Sequence, residues 1–302
     1  VNESAEFRSA FIALIGRPNS GKSTLLNTVV GERLSIVSTL PQTTQRNLRG
    51  ILNGPGYQLV FVDTPGIHEG KHAVNKLMSR QGLSLLEDES VDVICYVVDL
   101  ARELGEEEDA IAGRVGRAGL PVCIVFNKAD RCEDVERVRA AFSTRYPALS
   151  RHRAVVLTAT EPAARERFLE TVLPLVPPGP RYYPDEDLTD ADLRFLAAEL
   201  IREQVILATR EEVPHAVLVE ILQYKEIEGR HLVEAEIHVE TKGQKGILIG
   251  KQGAVIKRIQ RRSQFALSRL ADAPARIRCH VKVTPKWRDK PRFLAGMGFR
   301  RG

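Results

Sequence analysis

The chain has 302 residues, 43% hydrophobic and 27% charged, which is enough for two domains that each bury a core. No apolar run approaches the ~20 residues needed to span a bilayer, and the opening residues lack the basic-then-apolar order of a secretory leader. The net charge of +5 is unevenly spread: Thr241–Gly302 holds 17 Lys and Arg against 2 Asp and Glu, a balance of +15 that leaves −10 for the first 240 residues. An end this basic predicts a polyanionic partner, nucleic acid ahead of a membrane surface. Cys95, Cys123, Cys132 and Cys279 form no CxxC pair. Two of them sit in apolar runs, which predicts buried free thiols in a reducing compartment.

In chain order, Phe11–Ile15, Gln58–Val62, Val91–Val98, Val122–Phe126 and Ala154–Leu157 read as strands buried on both faces. Helical patterns such as Lys22–Val30, Val74–Leu86 and Val135–Arg145 separate most of them. That alternation predicts an α/β fold with a doubly wound sheet over residues 1–177. Pro174, Pro177, Pro178, Gly179 and Pro180 break the pattern, so residues 178–190 read as a Pro-rich, acidic junction. Residues 191–302 then predict a smaller α+β domain: a helix over Ala191–Ala208, strands over His215–Lys225 and Leu232–Glu240, and a helix over Ala254–Leu270. A strand over Ala275–Val283 and a short helix over Trp287–Ala295 complete it.

Between the first strand and helix lies Gly16-Arg17-Pro18-Asn19-Ser20-Gly21-Lys22-Ser23, which fits G-x-x-x-x-G-K-[ST] in the strand–loop–helix context the motif needs. Its glycines let backbone N–H groups curl around phosphates, Lys22 reaches the terminal phosphates, and Ser23 offers a hydroxyl to Mg²⁺. Thr24 follows as a further candidate nucleotide contact. Asp63-Thr64-Pro65-Gly66 follows the second buried strand, where Asp63 is placed to hold Mg²⁺ through water and the Gly66 N–H to sense the γ-phosphate. Asn127-Lys128-Ala129-Asp130 follows the fourth, and Asp130 can accept two hydrogen bonds from guanine that adenine does not offer. Ile67 stands where many small GTPases carry a water-orienting Gln, which predicts slow intrinsic hydrolysis; nearby His68 is expected on a surface loop.

The second domain carries Gly250-Lys251-Gln252-Gly253 after apolar Ile247-Leu248-Ile249. An amphipathic helix follows, with Ile256, Ile259, Leu267 and Leu270 on one face and Lys257, Arg258 and Arg261 among the charges elsewhere. G-x-x-G between two helices is the backbone clamp of KH domains, and helix–strand–strand–helix–helix–strand fits the second KH topology.

The order G-x-x-x-x-G-K-S, D-T-P-G, N-K-x-D resembles translation-factor-type GTPases, and so a P-loop NTPase domain. That resemblance implies a switch threonine on Mg²⁺ and the γ-phosphate, either Thr43 or Thr44, with Thr44 favoured. It implies a base-contacting loop at Thr158-Ala159-Thr160, where the usual reading is Ser-Ala. It also implies that Asn19 helps hold a K⁺ ion that stands in for an arginine finger. The whole chain resembles the Era family of bacterial GTPases through GRPNSGKSTLLN (Gly16–Asn27), PQTTQ (Pro41–Gln45), FVDTPGIH (Phe61–His68) and NKAD (Asn127–Asp130). YYPDEDLTD (Tyr182–Asp190), IREQV (Ile201–Val205), ILIGKQGAVIKRI (Ile247–Ile259) and VKVTPKWRD (Val281–Asp289) complete the match. The resemblance implies a GTPase joined to a KH domain that binds near the 3′ end of small-subunit rRNA and acts in assembly of the small ribosomal subunit. It implies a cytoplasmic protein, part of it peripherally associated with the inner membrane; separately from the resemblance, a monomer is expected. Communication between the domains is expected through the Pro-rich junction.

Overall fold

The structure, a computed structural model, describes residues 6–37, 44–67, 72–209 and 213–299. In the first part β1 (Arg8–Ile15), β3 (Tyr57–Asp63), β4 (Val93–Asp99), β5 (Val122–Asn127) and β6 (Arg153–Val156) form a parallel sheet. β2 (Leu48–Gly54) is added antiparallel to β3, giving the order β2-β3-β1-β4-β5-β6. The central strands are apolar throughout because helices cover both faces. α1 (Lys22–Val30) and α5 (Ala164–Val172) bury Leu25, Leu26 and Phe168 on one side; α3 (Glu106–Val115) and α4 (Val135–Arg145) bury Ile111, Val115 and Phe142 on the other.

β2 is absent from the expectations above. It is the edge strand of a hairpin closed at Pro55-Gly56, where Gly56 takes φ 78°, and its LRGILNG sequence lacks the continuous apolar run of its neighbours. The junction covers this edge instead of leaving it bare. Ile51 N–H donates to Leu188 O at 2.8 Å, Thr189 Oγ1 donates to Arg49 O at 2.6 Å, and Arg49 pairs with Asp190 at 2.6 Å.

The second part contains α6 (Leu193–Ala208), β7 (Leu218–Ile227), β8 (Arg230–Val239), α7 (Lys242–Ile249), α8 (Ala254–Leu270) and β9 (Ala275–Val283). The sheet order is β7-β8-β9, with β7/β8 antiparallel and β8/β9 parallel. Its core joins Ile201 and Val205 of α6, Leu248 of α7 and Ile259 and Leu267 of α8 to the inner face of the sheet. Leu270, expected on the buried face of α8, is 38% exposed: the buried row runs Ile259, Ser263, Leu267 at intervals of four and ends one turn earlier. The expected helix over Trp287–Ala295 is split into a turn at Trp287–Asp289 and α9 (Pro291–Gly296), because Lys290 is extended and Pro291 opens the new helix.

The tail after β9 returns to the first part. Trp287, Leu294 and Phe299 pack with Leu218 and with Val74 and Met78 of α2 (Ala73–Ser84). Among the described residues, no helix is long and apolar enough to cross a membrane.

Candidate nucleotide site and RNA-binding turn

The phosphate loop turns its carbonyls outward. Lys22 Nζ donates to Gly16 O at 3.1 Å and Arg17 O at 2.9 Å, Arg102 to Pro18 O at 3.4 Å, Lys128 to Asn19 O at 2.6 Å and Asn127 to Ser20 O at 2.8 Å. At Pro18, Asn19 and Ser20 the oxygens meet donors from neighbouring elements, which lets the N–H edges of those peptides face an anion. Gly21 precedes α1 without a side-chain cap, so the first-turn N–H groups of the helix also face that position. Lys22 is buried; loss of solvent brings its ammonium pKa down to about 8, against the pull of the Asp63 and Glu108 carboxylates.

A set of hydroxyls converges on Asp63. Ser23 Oγ donates to Asp63 Oδ2 at 2.7 Å, Ser35 Oγ at 2.7 Å and Thr44 Oγ1 at 3.2 Å, and Ser23 and Thr44 hydroxyls lie 2.9 Å apart. Asp63 Oδ1 is buried without a hydrogen-bond partner among the described residues. Burial pushes the Asp63 carboxyl up, opposed by Lys22 and the three hydroxyls. An oxygen-only donor set around a carboxylate with one unpaired buried oxygen fits a small hard cation such as Mg²⁺. Ser35 carries no signal in the sequence, because a serine in a loop is commonplace until the fold brings it to Asp63. Thr43 and His68 lie outside the described residues, as do Pro41 and Gln42.

Not every residue in the motifs aims its side chain at a ligand. Arg17 turns behind the loop, its Nε 2.5 Å from Glu108. Thr64 Oγ1 donates to Leu14 O at 2.8 Å and fastens its loop to β1. The side chains of those two expected nucleotide contacts are thus engaged within the protein. Gly66 lies against the phosphate loop: a Cβ there would sit 2.5 Å from Pro18 Cα. Pro65 is buried, Ile67 is sunk in the core at 7% exposure, and the Ile67 N–H reaches Gly16 O at 3.4 Å. Thr24 is half-buried on α1, Asn19 holds a left-handed φ of 62°, and Thr160 is exposed after β6.

At the base end, the Asp130 N–H donates to Thr158 Oγ1 and that hydroxyl to Asp130 Oδ1, both at 3.3 Å. The threonine thus makes the contacts a serine hydroxyl would make. Asn127 bridges the two ends of the site: its amide reaches Ser20 O, and its oxygen accepts the Ala159 N–H at 2.9 Å. Lys128 pairs with Asp99 at 2.6 Å.

In the second part Gly250–Gly253 joins α7 to α8 through three residues of positive φ among four: Gly250 (φ 70°), Gln252 (φ 52°) and Gly253 (φ 76°), with exposed Lys251 between the first two. A Cβ on Gly250 would lie 2.5 Å from Val255 Cγ2, so only glycine admits this turn. Lys251, Gln252, Lys257, Arg258 and Arg261 are all exposed on or just after it, a cationic surface around a backbone that a nucleic-acid strand can approach closely.

Residues 11–128 match the family model described as 50S ribosome-binding GTPase, and residues 212–288 match the KH domain model. The GTPase Era of Geobacter metallireducens is 41% identical over 298 residues, covering 97% of this chain and 98% of the relative. The chain belongs to the GTPase Era family. The Clostridium perfringens Era is 36% identical over 298 residues, with 98% and 99% covered. An Era structure with MgGDPNP and nucleotides 1506–1542 of 16S ribosomal RNA superimposes with a TM-score of 0.91 at 31% identity, covering 98% of this chain and all of that one. An Aquifex aeolicus Era variant bound to GDP and AlF4⁻ gives 0.92 at 31% identity, with 98% of this chain covered.

In this Era-family chain the two parts meet beside the nucleotide site. Gln45 Nε2 donates to Val217 O at 3.3 Å; the Arg46 guanidinium lies 5.4 Å from the Phe299 ring and bonds Met297 O. Asp289 accepts the Ala73 N–H at 2.9 Å and meets His72 Nδ1 at 2.8 Å, so it sits on the first turn of α2. The segments after Thr44 and at the start of α2 therefore contact the residue before β7 and the C-terminal tail, and the junction lies along β2.

Proposed function

We propose that this protein is a GTP-hydrolysing switch that binds the 3′ region of small-subunit rRNA during assembly of the small ribosomal subunit, in the cytoplasm. Residues 1–177 form its GTPase domain, 178–190 the junction and 191–302 the RNA-binding domain. The observation that carries the reading is likeness over the whole chain to an Era structure that holds both MgGDPNP and 16S rRNA.

The nucleotide phosphates rest on the Gly16–Ser23 backbone with Lys22, Thr44 and the Gly66 N–H at the terminal phosphate, and Asp130 with Thr158 and Ala159 at the guanine. Ser23 and Thr44, with Asp63 beside them, would hold Mg²⁺, and the ion would neutralise charge on the phosphates. Water attack on the γ-phosphate proceeds slowly because Ile67 is apolar and buried. The reading includes K⁺ at Asn19, which would relieve the same charge; equal turnover in KCl and NaCl would remove that part. Gly250–Gly253 clamps the RNA backbone, with Lys251, Lys257, Arg258 and Arg261 on its phosphates.

The test is a titration of labelled single-stranded RNA carrying the small-subunit 3′ tail, at fixed salt, in GTP-analogue and GDP states. Wild type is expected to bind tightly and nucleotide-dependently, and a Gly250→Asp/Gly253→Asp variant to lose binding. Absence of binding by wild type in both states would refute the RNA function and leave GTP hydrolysis standing.

A further inference from the structure

Behind the phosphate loop lies a buried charge cluster that the hydrolysis scheme does not use. Arg17, Glu108 and Tyr96 are 3%, 0% and 0% exposed. Arg17 Nε lies 2.5 Å from Glu108 Oε2, and Arg17 Nη1 donates to Glu103 O at 3.0 Å. The Tyr96 hydroxyl bonds the other Glu108 oxygen, Oε1. Glu108 is in the first turn of α3, where a carboxylate is favoured by the helix dipole. One carboxylate thus ties together the loop, β4 and α3.

A buried ion pair is a poor stabiliser: desolvating both ions offsets much of their attraction, and apolar replacements of similar volume are often as stable. The pair's geometry suggests another use. The Arg17 carbonyl, on the residue whose side chain Glu108 holds, is one of the two acceptors of Lys22 Nζ. The same chain segment meets the next two loop residues: Arg102 donates to Pro18 O, and Asp99 pairs with Lys128, which donates to Asn19 O. The segment from Asp99 to Glu108 therefore grips three consecutive loop residues from behind, and only at Arg17 is the grip a fully buried charge pair.

We propose that Glu108 is a positioning residue for the phosphate loop, holding Arg17 so that the loop N–H groups and Lys22 meet the nucleotide phosphates in register. It acts through Arg17 and touches no substrate atom. The inference rests on Gly16–Ser23 being the phosphate site. Wild-type binding of GDP tests that assignment separately.

The experiment compares wild type, Glu108→Gln and Arg17→Met/Glu108→Leu by competition of GDP, GMP and inosine diphosphate against a fluorescent GDP analogue in Mg²⁺, with thermal melting of each protein. The GDP-over-GMP preference reports the loop's hold on the second phosphate. The GDP-over-inosine-diphosphate preference reports Asp130 at the base. Glu108→Gln, which removes the charge of the ion pair, is expected to lower the first about tenfold and leave the second unchanged. The apolar pair leaves the Tyr96 hydroxyl without its carboxylate partner, so it is expected to melt below wild type and to keep the weakened phosphate preference. An unchanged phosphate preference in Glu108→Gln, or an equal fall in both preferences, overturns the proposal. So does an apolar pair with wild-type phosphate preference. Should the apolar pair fail to fold, the two preferences of Glu108→Gln decide alone.

Discussion

Replacing Asp289 with Ala should loosen the start of α2 from 216 positions away in sequence. The residue at the N-terminal edge of α2, His72, makes no side-chain cap, so the cap is supplied by Asp289 through its 2.9 Å bond to the Ala73 N–H. Losing an N-cap costs ~1 kcal/mol, and the accompanying His72 contact adds little because Asp289 is 47% and His72 34% exposed. A change of ~1 kcal/mol raises the local opening constant about fivefold. Trp287, Leu294 and Phe299 still hold Val74 and Met78, so the helix should fray without undocking. The assay is amide hydrogen exchange of the nucleotide-free protein over residues 73–78, with Asp289→Asn as the control that keeps a capping oxygen but removes the charge. Faster exchange in Asp289→Ala with near-wild-type exchange in Asp289→Asn is expected. Unchanged protection in Asp289→Ala would show that the apolar contacts alone fix α2 and would refute the capping argument.

Thr158→Ala removes both hydroxyl contacts to Asp130, so GDP affinity should fall about fivefold while Thr158→Ser stays near wild type; equal losses in the two would mean that the methyl group matters instead. Asp109 is held down to about 2 by hydrogen bonds from Arg145 and Tyr146. A depressed carboxylate stabilises the fold above its unfolded pKa of about 4 and loses that contribution as pH falls towards about 2. Because Asp109 and Arg145 side chains are 40% and 46% exposed, the contribution should not exceed ~1 kcal/mol. Urea melts of wild type and Asp109→Asn should therefore differ at pH 7 and converge in acid, and a gap that persists at low pH would contradict the assignment.

The central strands and α1, α4, α8 and β9 were legible because their burial is set by local pattern: a strand covered on both faces must be apolar throughout, and an amphipathic helix must repeat its apolar positions. β2 was not legible in the same way, since an edge strand mixes polar and apolar residues and its partner on one side is the irregular junction. Leu270 misled because helical period places it on the inner stripe, while the core shared with α6 and the sheet reaches only as far as Leu267.

The same division runs through the site. Lys22, Ser23, Asp63, Gly66 and Asp130 announce themselves because phosphate, cation and guanine chemistry demand particular residues at fixed offsets from strand ends. Arg17 and Thr64 sit inside those motifs yet serve the protein behind the site, which spacing cannot reveal. Ser35 on Asp63, Glu108 beneath the loop and Asp289 on α2 carry no motif at all. Sequence determined which chemistry is available and which elements present it, because local geometry and period are written residue by residue. The tertiary structure alone decided which distant side chains brace the site and which segment of the RNA-binding part leans on α2, because those contacts join residues tens to hundreds of positions apart and depend on how the elements pack.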